Sequence, residues 1–165
     1  MISLKKRNQD KRNLGFTIVE LLIVIVVIGI LAALVITAYA GIQAKARNGK
    51  RATDIQAVQT QLEAFYSTNG YYPSLTDLNS ATWRATNMKS LDKIALVDPS
   101  TNCDPAVAST CVGATAGAKI YSYVVRDSSS AVCEVTDTNC AQYVLTATYE
   151  GTVNNQTTYI KNNLD

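Results

Sequence analysis

Histidine is absent from all 165 residues. Its absence removes the commonest general base and the commonest zinc ligand, and with them Ser-His-Asp and Cys-His catalysis. No glycine-rich phosphate loop occurs either, so the chain is not read as an enzyme. Charge is scarce, at 17% of residues, and the 22 residues from Leu21 to Ile42 carry none. At about 1.5 Å per residue that stretch reaches roughly 33 Å as a helix, the width of a bilayer. A purely cytosolic protein is thereby disfavoured. The charge that exists is unevenly placed. Lys5, Lys6, Arg7, Lys11 and Arg12 stand against Asp10 in residues 1–15, whereas the rest holds ten basic and twelve acidic residues. This is not the basic composition of a nucleic-acid-binding domain.

What is present begins with a short, basic, polar leader, of the kind that forms the cytoplasmic n-region of a targeting signal. The apolar run behind it is too long for a cleaved secretory signal and predicts a membrane-spanning helix that stays with the protein. Orientation by charge is a tie, because Lys45, Arg47, Lys50 and Arg51 flank the far side. Glu20 is the odd residue. A carboxylate near the start of an apolar run either snorkels at the headgroup boundary or has a function.

The residues around Glu20 favour function. Gly15-Phe16-Thr17-Ile18-Val19-Glu20, with basic residues before it and an apolar helix after it, resembles the class III signal of type IV pilins and pseudopilins. The likeness continues through Ala44–Arg47, Asp54–Val58, Leu62–Tyr66 and Asn69–Pro73, and so covers a little under half the chain. The resemblance implies cleavage between Gly15 and Phe16 by a membrane-embedded prepilin peptidase on the cytoplasmic side. It further implies methylation of the new amino terminus at Phe16 and an assembly role for Glu20. There the carboxylate of an incoming subunit pairs with the Phe16 amine of its predecessor. One departure is Thr37, where many family members have a proline. Threonine neither removes a backbone donor nor kinks the helix, so local melting after Gly29 is less assured.

Beyond residue 42 the pattern becomes amphipathic, with Ile55, Val58, Leu62 and Phe65 on one face. Asn69-Gly70 supplies a stop and Pro73 prevents resumption. One helix from Phe16 to about Ser67 is expected, the alternative being a break at Gly41 or Gly49. Residues 74–118 predict a long loop with a short helix near Ser90–Val97. Lys119–Val125, Tyr143–Tyr149 and Thr157–Lys161 predict strands, the last following the turn-prone Asn154-Asn155. The fold class is therefore α+β: a long N-terminal helix, its first half transmembrane and its second amphipathic, packed on a small antiparallel sheet. The expected organisation is a leader over 1–15, a transmembrane or filament-core segment over 16–42, an amphipathic half over 43–69 and a globular head over 70–165.

Cys103, Cys111, Cys133 and Cys140 all lie downstream of the membrane segment. Local disulfides, Cys103–Cys111 and Cys133–Cys140, are the simplest of the connectivities open to four cysteines. A four-cysteine zinc site is the competitor, but its ligands usually sit closer together in sequence. Disulfides need an oxidising compartment, which puts the head outside the cytoplasm and the leader inside. Asp98, Asp104, Asp127 and Asp137 offer oxygen ligands without the alternating spacing of a calcium loop. Asn155-Gln156-Thr157 matches a glycosylation sequon, a weak signal. No cofactor and no metal are expected.

Three functions remain open. The first is a pilin, the structural subunit of a type IV pilus serving adhesion, twitching motility or DNA uptake. The second is a pseudopilin of a type II secretion-like system, and the third a membrane-anchored extracytoplasmic binding module that does not polymerise. The expected partners are further copies of the chain, the prepilin peptidase, the pilus or secretion assembly machinery, and the inner membrane before assembly. Nucleic acid as a partner is left open by the sequence. Lys45, Arg47, Lys50 and Arg51 read either as a solvated helix face or as a cluster meeting acidic side chains of neighbouring subunits.

Overall fold

The computed structural model describes residues 15–104 and 111–164; the predicted leader therefore lies almost wholly outside the described residues. The chain divides into two compact units, one ending at Gly41 and one beginning at Ile42. Helix α1 is assigned over Ile18–Asn69, with no break at Gly41 or Gly49.

In the first unit the helical residues are exposed on every side, including Ile25 at 60% and Val35 at 63%. A helix apolar all round needs an apolar surrounding, either lipid or other helices. Among the described residues this is the one helix long and apolar enough to cross a membrane. The Thr37 hydroxyl donates to the Leu34 carbonyl at 3.0 Å, so threonine is accommodated within the helix rather than ending it.

In the second unit α1 acquires a buried stripe. Ile55, Val58, Leu62 and Phe65 recur at three- and four-residue steps and are at most 6% exposed. They pack with Tyr123, Val125, Tyr143, Leu145 and Ala147 from the sheet in one core. Each large apolar side chain so buried contributes about 1.5–3 kcal/mol.

The sheet has four strands in the order β1-β2-β3-β4: Val112–Gly113, Tyr121–Asp127, Cys140–Val153 and Gln156–Asn162. β2, β3 and β4 are antiparallel, as the sequence predicts, with Val125 opposite Tyr143 and Ala147 opposite Tyr159. The two-residue β1 pairs with β2 in parallel, so the sheet is mixed rather than purely antiparallel. So short a segment has no periodicity to read. Asn154 and Asn155 form the β3–β4 turn with φ of 51° and 63°. Two left-handed residues suit a tight hairpin, and asparagine tolerates that region.

The expected loop over 74–118 is more structured than predicted. It holds helices α2 (Leu75–Asn79) and α3 (Ala81–Asn87) and a 3-10 turn at Lys93–Leu96. Ser74 and Asp77 cap α2 reciprocally, and Ser80 caps α3 through the Trp83 amide. Helices of five and seven residues depend on such caps, because they are too short to show an amphipathic repeat.

Candidate functional site

The amino-terminal site is built from three residues before the helix and one inside it. Gly15, Phe16 and Thr17 precede α1 in non-helical, exposed backbone, and Phe16 is 83% exposed. Among the described residues, its chain neighbours aside, no atom lies within 4 Å of where a side chain on Gly15 would begin. Thr17 stands at the N-cap. Its amide and its hydroxyl donate to Glu20 Oε2 at 2.8 and 2.7 Å, and the Glu20 amide donates back to the hydroxyl at 3.2 Å. This is a capping box, which satisfies orphan donors at a helix start. The Thr-x-x-Glu spacing is the signal that marks it in the sequence, beside the assembly role the resemblance implies for Glu20. In this arrangement Glu20 has a partner within its own chain.

The cysteines fall into two separate local pairs. Cys103 and Cys111 pair with Cα atoms 5.7 Å apart, and Cys133 and Cys140 with Cα atoms 6.0 Å apart. Such separations are normal for a disulfide. Among the described residues no three metal-ligating side chains come together. Asp98 faces Arg51, Asp127 accepts from Ser129 and the Ala131 amide, and Asp137 accepts from the Glu134 amide. The Asn155 sequon sits at the exposed β3–β4 turn.

The basic cluster is tied largely into its own chain. Arg47 meets Glu150 through two hydrogen bonds, at 2.7 and 2.5 Å, and Lys50 meets Asp54 at 2.9 Å. Arg51 is 1% exposed; it grips Asp98 at 2.7 and 3.0 Å and reaches Glu150 at 2.9 Å. Asn48 orients the group, accepting from Arg51 and from the Glu150 amide and donating to the Glu150 carbonyl. Ser100 completes it by donating to Glu150 and accepting from Arg51. Arg47, supported by Arg51 and Ser100, holds the Glu150 carboxyl down at about 2. Three of the four basic residues thus have partners within the chain, while Lys45 and Lys50 stand on the exposed face as expected. The partners of Arg47 and Arg51 lie far away in sequence, where local charge patterning does not reach.

A second polar hub sits further along α1. The Glu63 carboxylate accepts from the Tyr72 and Tyr143 hydroxyls at 3.0 and 2.6 Å and from the Leu164 amide at 3.1 Å. Burial, with the bond to Glu63, pushes the Tyr143 hydroxyl well above its ordinary range, so it remains a donor. Glu63 carries no special signal in the sequence beyond its place beside the apolar stripe.

An exposed apolar helix, a capped amino-terminal glutamate and a small α+β head thus occur together in one chain. Residues 10–36 match the family described as "Prokaryotic N-terminal methylation motif". The chain is 38% identical over 65 residues to the type II secretion system core protein G of Dickeya chrysanthemi, covering 39% of this chain and 42% of that one. The same protein of Escherichia coli strain K12 is 40% identical over 68 residues, covering 41% and 46%. The type IV major pilin protein PilA of Myxococcus xanthus is 39% identical over 63 residues, covering 38% and 29%. The chain spans less than half the length of each of these relatives. No solved structure matches the chain. The motif and these relatives support the type IV pilin and pseudopilin family for this chain. The names of these relatives describe pilus and secretion-system proteins, not enzymes, and the apolar helix fits an inner-membrane anchor.

Proposed function

We propose that this chain is the structural subunit of a type IV pilus, inserted in the cytoplasmic membrane with its leader inside and its head outside. A prepilin peptidase cuts between Gly15 and Phe16 and methylates Phe16, and assembly machinery then draws the subunit into an extracellular filament of identical copies. Glu20 of the incoming subunit exchanges its Thr17 cap for the Phe16 amine of its predecessor. Both charges are thereby matched in an apolar filament core, where an unpaired one is costly. The observation that carries this reading is the position of Glu20, a capped carboxylate at the start of a helix exposed and apolar on every side.

The secretion core proteins among the relatives favour a second reading, a pseudopilin that stays within the envelope. Mass spectrometry of material sheared from cells tests all of this at once. A chain starting at methylated Phe16 in the sheared fraction supports the pilus. The same processed chain confined to the envelope supports the pseudopilus. An unprocessed chain in the membrane supports an anchored module and overturns both.

A further inference from the structure

Asp54 on α1 and Asp98 are turned inward, at 5% and 1% exposed, whereas Lys89 and Lys93 stand on the surface. Among the described residues neither of these lysines joins a salt bridge. They rim a groove of about 520 Å³ between α3 and the 3-10 turn, with Ala85, Met88 and Leu91 in its lining. Asp92, also in the groove, is occupied in capping, accepting from the Ile94 amide at 2.9 Å. The groove therefore offers an apolar floor and two lysines outside any salt bridge, against the one carboxylate of Asp92.

A surface of the opposite character lies elsewhere on the same head. Cys133 and Cys140 close a loop that holds Val135 and Glu134, and Val132 immediately precedes it; Val132 and Val135 are 57% and 52% exposed, and the exposed Glu134 lies between them in sequence. Two features tie the loop to itself. Asp137 accepts from the Glu134 amide at 2.7 Å and donates its own amide to the Glu134 carbonyl at 3.1 Å, while Cys133 anchors the base. Two exposed valines beside a carboxylate, on a pre-ordered turn, present little entropy to lose on docking.

We propose that the Val132–Val135 loop of one copy docks in the α3 groove of a second copy. Glu134 then lies between Lys89 and Lys93, and the valines lie on Met88 and Leu91. The two patches differ, so the contact is heterologous, and a heterologous contact that does not close propagates as a filament. The inference rests on the filament reading above and adds a head-to-head contact to the joining of helices.

Charge reversal and cross-linking in assembled filaments of the full chain test it. Glu134→Lys, and separately Lys89→Glu with Lys93→Glu, should each lower filament yield at least about tenfold, because like charges then meet. Combining all three should bring yield back towards wild type. Unchanged circular dichroism and non-reduced gel mobility show that each variant is folded. A photo-crosslinking residue at position 135 should attach to residues 81–93 of a neighbour. Filaments of normal yield in every charge variant, or cross-links that map to another part of the head or another protein, overturn the docking alone. Absence of filaments from the unmodified chain overturns the filament reading and this inference with it.

Discussion

Arg47 and Glu150 lie 103 positions apart and meet through two nearly parallel hydrogen bonds, Nε and Nη2 each taking one carboxylate oxygen. This is the fork geometry in which two guanidinium N–H groups match the two oxygens of one carboxylate. It ties the α1 residues just beyond the apolar segment to the far end of β3, and Arg51 and Asp98 extend the tie inward.

Acid should loosen that tie. The Glu150 carboxyl sits at about 2 in the fold against an ordinary 4.5, so its contribution is complete above about 4.5 and is lost as the pH falls towards 2. Thermal melts of the purified chain between pH 6 and pH 2 should show stability falling through that window. Glu150→Gln should show a smaller fall, and an identical fall would remove Glu150 from the account.

Arg51 should be the most sensitive member. Arg51→Ala leaves Asp98, also 1% exposed, as a buried unpaired carboxylate. Removing one partner of a buried pair costs about 3–5 kcal/mol, so urea unfolding should shift by that order. A shift below about 1 kcal/mol would mean that the pair is hydrated in solution.

Gly15 should control maturation without controlling folding. Among the described residues, its chain neighbours aside, nothing lies within 4 Å of where its side chain would begin. Gly15→Leu should therefore insert and fold normally but keep its leader, seen as slower gel mobility and no filaments. Normal processing of that variant would remove the glycine requirement.

Glu20→Ala should be inserted and cleaved yet fail to polymerise as the only subunit. Loss of a buried pair of about 3–5 kcal/mol amounts to several hundred-fold or more in an equilibrium constant. Glu20→Asp should weaken assembly without abolishing it, through its shorter reach. Electron microscopy of sheared fractions reads both, and wild-type filament numbers from Glu20→Ala would end the pairing scheme.

The disulfides should be local. Peptide mapping without reduction should recover Cys103 linked to Cys111 and Cys133 linked to Cys140. Replacing Cys133 and Cys140 together by serine should cost about 2.5 kcal/mol, the chain-entropy value for so short a loop. Four free thiols in surface-purified protein would contradict both pairs.

What is legible in the sequence is whatever local spacing encodes. The stripe Ile55, Val58, Leu62 and Phe65 announces a buried helix face, and it packs where expected. Asn154-Asn155 announces the hairpin, because left-handed φ at both positions is a local demand. Helices α2 and α3 are not legible in this way, because capping by Ser74 and Ser80, not a long apolar repeat, makes them. Strand β1 is hidden because a two-residue parallel pairing has no pattern of its own. The basic cluster is hidden for a different reason. Arg47 and Arg51 look like a solvated face until the fold brings Asp98 and Glu150 to them.

Strand β3 is fastened to α1 at two places, Glu150 to Arg47 and Tyr143 to Glu63. The helical stretch from 47 to 63 is about 24 Å long and the strand stretch from 143 to 150 about 23 Å, so the two anchor spacings match. Force along the helix would therefore reach the sheet at both fastenings together, in shear, instead of peeling one and then the other. A head joined in this way resists being stripped from its helix by a pull along the helix axis, and the load falls on side-chain bonds as well as on apolar packing.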